Sequence, residues 1–244
     1  MGKRTKKELK AKVQQTEKKQ EQKAVKVSCL MLTYDRAFQK PVSSSEMFRS
    51  AVNQLCEQTF KDFEVIVVNS GSQPFFDICE QILKDSGLKY KHVHVSRNEC
   101  HTIADLRNKS VELASGEFIL TWDDDDYRNC DLIKTLVEGQ TQTNADLVMI
   151  QNIEVQLQLG KSYPANYHHG FEPTMLARKT DKVKYVGEHS DTRYINDLKA
   201  MGYKEFVVKD NPCNLYKYCY WGNNITQRES FAKIIVLSNK MGGR

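Results

Sequence analysis

Long apolar runs are missing from these 244 residues, and their absence excludes two classes of protein. No stretch approaches the roughly 20 consecutive apolar residues that a bilayer-crossing helix needs. The first 26 residues hold neither an aromatic side chain nor an apolar run, so a signal peptide is not expected. No Cys-x-x-Cys pair occurs among Cys29, Cys56, Cys79, Cys100, Cys130, Cys213 and Cys219, which argues against a structural zinc site. An odd set of scattered cysteines without a secretory leader reads as free buried thiols in a reducing compartment, so the expected location is the cytoplasm. Two phosphate-binding signatures are also missing. Without G-x-G-x-x-G after the first apolar run, or G-x-x-x-x-G-K-[ST] anywhere, neither a dinucleotide oxidoreductase nor a P-loop kinase is supported. No internal repeat is present.

Charge is abundant but unevenly spread. Residues 1–26 carry ten Lys/Arg against three Glu, a net of +7, whereas the whole chain is +5, so the remainder is close to −2. Residues 1–24 read as a basic flexible tail, and residues 25–240 as a single domain with one core. The plain reading of the tail is a solvated segment or frayed helix. The functional reading is attachment to a polyanion, either DNA or an anionic membrane surface, which would make the protein peripheral to that membrane. Composition does not separate these readings.

The domain begins with "VKVSCLMLT" and continues with "EVIVVN", two short apolar runs that fit strands buried on both faces of a largely parallel sheet. Between them Met47, Phe48, Ala51, Val52 and Leu55 recur at helical spacing after capping serines, which completes a β-α-β unit. A second helix is expected with Phe76, Cys79, Ile82 and Leu83 inward and a stop at Gly87, followed by the strand "YKHVHV". The next helix should run from about Thr102 to Ser115, with Ile103, Leu106, Ser110, Leu113 and Ala114 on its inner side. The strand "EFILTW" then enters "DDDD". Beyond it are expected a helix over Leu132, Ile133, Leu136 and Val137, one long extended stretch "DLVMIQNIEVQLQL", and a loop-rich segment from Gly160 to Gly187. A helix from Asp191 to Met201 and the strand "YKEFVV" follow. Ligands of open α/β sheets bind beyond the carboxyl ends of the strands, where the loops "TYDR", "NSGS" and "DDDD" converge on one edge.

Four consecutive aspartates repel one another, and a cation is expected among them. A strand ending in Asp-x-Asp brings two carboxylates within reach of one hard cation, with other positions left for water and phosphate oxygens. Mn²⁺ or Mg²⁺ held in this way would clamp a diphosphate and offset the charge that develops as it departs.

Five segments resemble the family 2 glycosyltransferases of GT-A fold, over residues 25 to about 228. "VSCLMLTYDR" is similar to the family's opening strand and Thr-Tyr-Asn-Arg loop, and "QTFKDFEVIVVNSGS" to its Gln-Thr to Asp-Asp-Gly-Ser segment. "LRNKSVELASGEFILTWDDDD" resembles the Arg-Asn helix, the Gly-Glu strand and the Asp-x-Asp-Asp end. "GEHSDTRYINDLKAMGYK" resembles the helix that carries the catalytic base, and "YCYWGNNIT" the closing Tyr-x-Tyr-His-Gly motif.

The resemblance implies a nucleotide-diphospho-sugar transferase fold, Rossmann-like, with a mixed, mainly parallel sheet flanked by helices. It implies an inverting, metal-dependent transfer of a sugar from a nucleotide-sugar donor to a hydroxyl of a glycan or lipid-linked glycan. Thr33, Tyr34 and Asp35 would border the nucleobase and ribose, with Asn69 below the base. Asp123 and Asp125 would hold the metal, Asp124 would serve the ribose, and Arg107 would support the nucleotide side or act as a buried ion-pair partner. Asp191 or Glu188 would be the base, Asp191 being favoured because it opens the following helix.

The chain departs from the family pattern at Asn69 and Ser70, which replace two aspartates, at Trp221, which replaces the closing histidine, and at Glu188-His189, where many members have Glu-Asp. Two other functions fit the basic tail: transfer to hydroxylated DNA bases, and an inactive GT-A-like module that binds nucleic acid. A metal-dependent nuclease or phosphatase would use the aspartates but leave the Thr-Tyr-Asp and Asn-Ser-Gly-Ser loops without work.

Overall fold

The computed structural model describes residues 26–36, 42–96, 100, 102–156, 161–187 and 190–219. Val27–Thr33 (β1) and Phe63–Asn69 (β2) lie parallel, with Val27 facing Phe63 and Thr33 facing Asn69. Their apolar side chains point to both faces because both faces are covered. Ser44–Glu57 (α1) connects them. It starts with a capping box, in which Ser43 Oγ accepts from the Glu46 N–H and the Glu46 carboxylate accepts from the Ser43 N–H.

Gln73–Ser86 (α2) carries Pro74 in its first turn and stops at Gly87, whose φ of 68° suits a residue without a Cβ. Tyr90–His94 (β3) then pairs with β2. Ile103–Leu113 (α3) leads to Phe118–Thr121 (β4), which joins the other side of β1. At the bend between them a Cβ on Gly116 would lie 2.7 Å from the Ser28 nitrogen, so the backbones pass only because this residue is glycine. The remaining elements are Tyr127–Arg128 (β5), Leu132–Thr143 (α4), Leu147–Ile150 (β6), Asn152–Gln156 (β7), Ser162–Asn166 (β8), Leu176–Arg178 (β9), Ser190–Ala200 (α5), Glu205–Val208 (β10) and Tyr216–Cys219 (β11).

The main sheet has the order β10-β6-β9-β4-β1-β2-β3, and only β9 runs against the rest. Val27, Cys29 and Met31 of β1 enter one core with α1, α2 and α4, while Leu30 enters a second core with α3 and α5 on the opposite face. A smaller sheet, β5-β11-β7-β8, stands beside the end of β4. No helix among the described residues is long and apolar enough to cross a membrane.

The α/β architecture and its mainly parallel sheet agree with expectation, but four local readings need correction. Residues 160–187 are not simply loop: they supply β8 and, in β9, a strand inserted antiparallel between β4 and β6. Three residues are too short for a hydrophobic period to register. The stretch 146–159 is not one strand, because it breaks at Gln151 into β6 of the main sheet and β7 of the small one.

On α3 the buried positions are Ala104, Arg107, Ser110 and Val111, while Ile103 is exposed, so the helix is rotated from the expected stripe. A buried arginine tied to an aspartate outweighs an isoleucine in setting that rotation. On α2 it is Phe75 that enters the core, while Phe76 stacks on His92 with ring centroids 4.0 Å apart.

Candidate active site

Parallel pairing brings the carboxyl ends of β1, β2, β3 and β4 to one edge. The Trp122 N–H donates to the Leu30 carbonyl (2.9 Å), so Asp123 follows one residue beyond the sheet. Trp122 itself is fully buried, as a core residue.

The four aspartates divide by alternation. Asp124 and Asp126 turn inward and are 3% and 6% exposed, while the side chains of Asp123 and Asp125 are 27% and 18% exposed. Both oxygens of Asp124 are taken: Thr33 Oγ1 donates at 2.7 Å, and Arg36 donates through Nη1 at 3.0 Å and Nη2 at 2.6 Å. Asp124, expected to serve the ribose, is thus held from inside the protein by Thr33 and Arg36. Asp126 accepts from the Tyr216 hydroxyl and from the Cys219 N–H at 2.8 Å. Burial, with Asp125 and Asp123 adding to it, pushes Asp126 up to about 8.

The expected positive charge is present as three guanidiniums. Beside Arg36, Arg128 is buried between Trp122 and Tyr216, 4.7 and 4.9 Å from their ring centroids, and donates to the Asp123 carbonyl at 2.7 Å. Arg107 donates through Nη2 to Asp123 Oδ1 at 2.6 Å, and its Nε lies 3.8 Å from Asp191 Oδ1. Burial disfavours the Asp123 anion, but the guanidiniums of Arg107, Arg128 and Arg36 outweigh it and hold this carboxyl below its usual range. Asp191 shifts the other way: burial pushes it up despite Arg107, and Asp123 adds to the rise. Two of the Arg107 nitrogens, Nε and Nη1, and Asp191 Oδ1 are buried without a hydrogen-bond partner, an unsaturated polar group at the bottom of the site.

On the other flank a cleft of about 340 Å³ is lined by Asp35, Ser70, Gly71, Ser72, His94, Val95 and Ser96. Asp35 Oδ1 accepts from the Ser72 N–H (3.1 Å), closing the β1 loop onto the β2 loop. Tyr34 is half exposed with the Arg36 guanidinium 4.7 Å from its ring centroid. Asn69, at the end of β2, is fully buried, with Oδ1 accepting from the N–H of the lining residue Gly71 (2.8 Å).

A family model described as Glycosyl transferase family 2 matches residues 28–196, more than half of the chain. The chain belongs to glycosyl transferase family 2. EpsH of Bacillus subtilis is 33% identical to this family 2 chain over 151 residues, covering 62% of this chain and 38% of that protein. Cholesterol galactosyltransferase of Borreliella burgdorferi is 26% identical over 109 residues, 45% of this chain and 30% of the relative. Glucosyl-dolichyl phosphate glucuronosyltransferase of Haloferax volcanii is 28% identical over 126 residues, 52% and 37%. The matched segments thus span about a third of the relatives' length. Among solved structures, S. aureus TarS 1-349 in complex with UDP-GlcNAc superposes with a TM-score of 0.62 at 20% identity, covering 87% of this chain and 65% of that one. Mannosyltransferase PcManGT of Pyrobaculum calidifontis, in complex with GDP-Man and Mn²⁺, gives 0.58 at 14% identity, covering 85% and 59%. These likenesses establish the fold.

In this family 2 chain the structure gathers Thr33, Tyr34, Asp35, Asn69, Arg107, the aspartates 123–126 and Asp191 along one edge. Glu188, His189 and Trp221 lie outside the described residues. His168 and His169 are both exposed. Sequence reasoning gave no role to Arg36, Asp126 and Arg128. The signal was available for Arg128, an arginine two residues after a run of aspartates; for Tyr216 the spacing by two with Tyr218 marks a packed strand face but not its contact with Asp126. Among the described residues no group of three or more His, Cys, Asp or Glu is placed to hold a metal. Two outward carboxylates do fit an ion that takes its remaining oxygens from a diphosphate and water, so Asp123 and Asp125 are the residues that would hold it.

Proposed function

We propose that this chain is an inverting glycosyltransferase that moves a sugar from a nucleotide-diphosphate sugar to an acceptor hydroxyl. The observation that carries this reading is Arg107, one guanidinium held between Asp123 on the donor side and Asp191 on the opposite side. A divalent ion bound at Asp123 and Asp125 would supply the charge that offsets the departing diphosphate. Asp191 is the base: its raised proton affinity suits it to take the proton of the acceptor hydroxyl while that oxygen attacks the anomeric carbon from the face opposite the leaving group. Arg107 keeps Asp191 facing the reacting centre, and the cleft between Asp35 and His94 receives the nucleobase. The complexes of the structural neighbours with UDP-GlcNAc and GDP-Man support a nucleotide-sugar donor.

For the acceptor we favour a glycan or a lipid-linked glycan, in keeping with two relatives that carry cholesterol and glucosyl-dolichyl phosphate in their names. The ten Lys/Arg of residues 1–26 favour a second reading, a polyanionic acceptor such as DNA with hydroxylated bases. Deleting residues 1–24 should then weaken DNA binding and flatten its salt dependence. The donor is tested by melting the protein with UDP-, TDP-, GDP- and CMP-sugars in Mn²⁺. One class should raise the melting temperature and be hydrolysed slowly; stabilisation by none of them would overturn the assignment.

A further inference from the structure

A buried relay runs from α2 to the nucleotide cleft, and the reaction itself has no use for it. Its logic follows from donor and acceptor chemistry. The Gly71 N–H can only donate, so the Asn69 atom 2.8 Å away is the carbonyl oxygen, and the amide nitrogen must be the atom 3.4 Å from His92 Nε2. That nitrogen donates, so His92 Nε2 must present a lone pair. The imidazole proton therefore sits on Nδ1, 2.8 Å from Glu80 Oε2.

Glu80 is itself fixed by the Tyr90 hydroxyl at 3.0 Å and by Lys84 at 3.5 Å, and Phe76 stacks on the His92 ring at an interplanar angle of 13°. At the far end Gly71 has little room to move. A Cβ on it would lie 2.9 Å from the Asp35 nitrogen, and its carbonyl accepts from His94 Nε2 at 2.7 Å. Gly71, Ser70, Ser72 and His94 are walls of the cleft.

Resting on the nucleotide-sugar reading above, we infer that His92 is a positioning residue for nucleotide recognition: in its neutral Nδ1–H form, oriented by Glu80, it locks the Asn69 amide and so holds the Gly71 turn against which the nucleobase packs. A second proton on Nε2 would set two donors against each other, and Asn69 would have to turn and release Gly71. The charged and titratable groups facing His92 are Glu80, backed by Lys84, from α2, and His94 from its own strand; β2 presents the neutral Asn69. Burial holds the imidazole below its ordinary range in spite of Glu80, so the neutral form prevails at neutral pH and gives way only in acid.

The test measures binding of UDP and of GDP to the full chain by calorimetry between pH 5 and 8, for the native protein, His92→Phe and His92→Gln. Phenylalanine keeps the stacking but removes both nitrogens. Glutamine offers a donor and an acceptor at about the spacing of the ring nitrogens, and it does not titrate. Expected results are native affinity that weakens toward pH 5, affinity about three- to tenfold weaker at pH 7 in His92→Phe, and in His92→Gln native-like affinity at pH 7 with a shallower acid dependence, the part that the titrating phosphate of the nucleotide itself contributes. If the native protein binds nucleotide with the same acid dependence as His92→Gln, or if His92→Phe matches the native affinity at pH 7, the inference fails. If His92→Phe does not fold, the pH profile of His92→Gln alone decides. Native protein that binds neither nucleotide would sink the donor assignment instead.

Discussion

The two flanks of the sheet edge solve the same positioning problem with different physics. The nucleotide flank, around Asn69, Gly71 and His94, is held mainly by single, directional hydrogen bonds between neutral groups, with the carboxylates Asp35 and Glu80 at its margins. The reaction flank, around Asp123 and Arg107, is held by buried ions: Asp123, Asp124 and Asp125 face Arg107, Arg36 and Arg128, and Asp191 stands beyond. Neutral hydrogen bonds contribute about 1 kcal/mol each, so the first flank fixes shape and tolerates the loss of single members. Buried ion pairs are costly to form and costlier to break, because the abandoned partner keeps its charge out of water.

Breaking the ionic flank should give the largest effect. Arg107→Ala strands Asp123 and should destabilise the fold by about 3–5 kcal/mol in urea unfolding, with transfer activity lost. Next in size is Asp191→Asn, which removes the proposed base and leaves the cleft beside Asp35 intact. The turnover number should fall ~10²–10⁴-fold while UDP or GDP binds as before. If the turnover fell no more than threefold, the base would have to be sought at Glu188. The same carboxylate shapes the pH profile. As a base Asp191 would act when ionised, and its proton affinity is raised, so turnover should decline in acid from a pH above the usual carboxylate range, and this acid limb should vanish in Asp191→Asn.

A smaller effect sharpens the contrast from the inside. Asp126 is raised to about 8, above the roughly 3.9 of an unfolded chain. Between those values the folded state binds more protons than the unfolded state. Its contribution to stability is therefore complete below the lower value and declines as pH rises toward the upper one. Asp126→Asn mimics the neutral acid and should flatten the fall in melting temperature between pH 5 and 8. The smallest effect belongs to Thr33→Val, which removes one hydrogen bond to Asp124 and should cost ~1 kcal/mol, with Arg36 still holding that carboxylate in place.

Legibility in the sequence followed the same division. Strands β1, β2 and β4 and helices α1 and α2 were readable because each repeats a hydrophobic period over several residues, and the acidic run was readable because it interrupts one. The three-residue β9 and the break at Gln151 carry no period, so their places in the two sheets come only from which strands lie beside them. Arg107 was visible within its motif, as a nucleotide-side contact or a buried ion-pair partner, but which aspartates it would meet was not. A helix that looks amphipathic around Ile103 turns to satisfy an ion pair instead.

From the chain alone one could derive an α/β sheet edge where loops after β1, β2 and β4 meet, and the presence of carboxylates there, since strand patterns and local repulsion between neighbours are properties of adjacent residues. The packed molecule alone decided which aspartates face inward, that arginines from the loop after β1, from α3 and from β5 stand beside the acidic run, and that the Asn69 amide meets Gly71 and His92. Those outcomes depend on partners up to 93 residues apart, as with Asp126 and Cys219. Burial multiplies the strength of such distant contacts while leaving no trace in the spacing of residues along the chain.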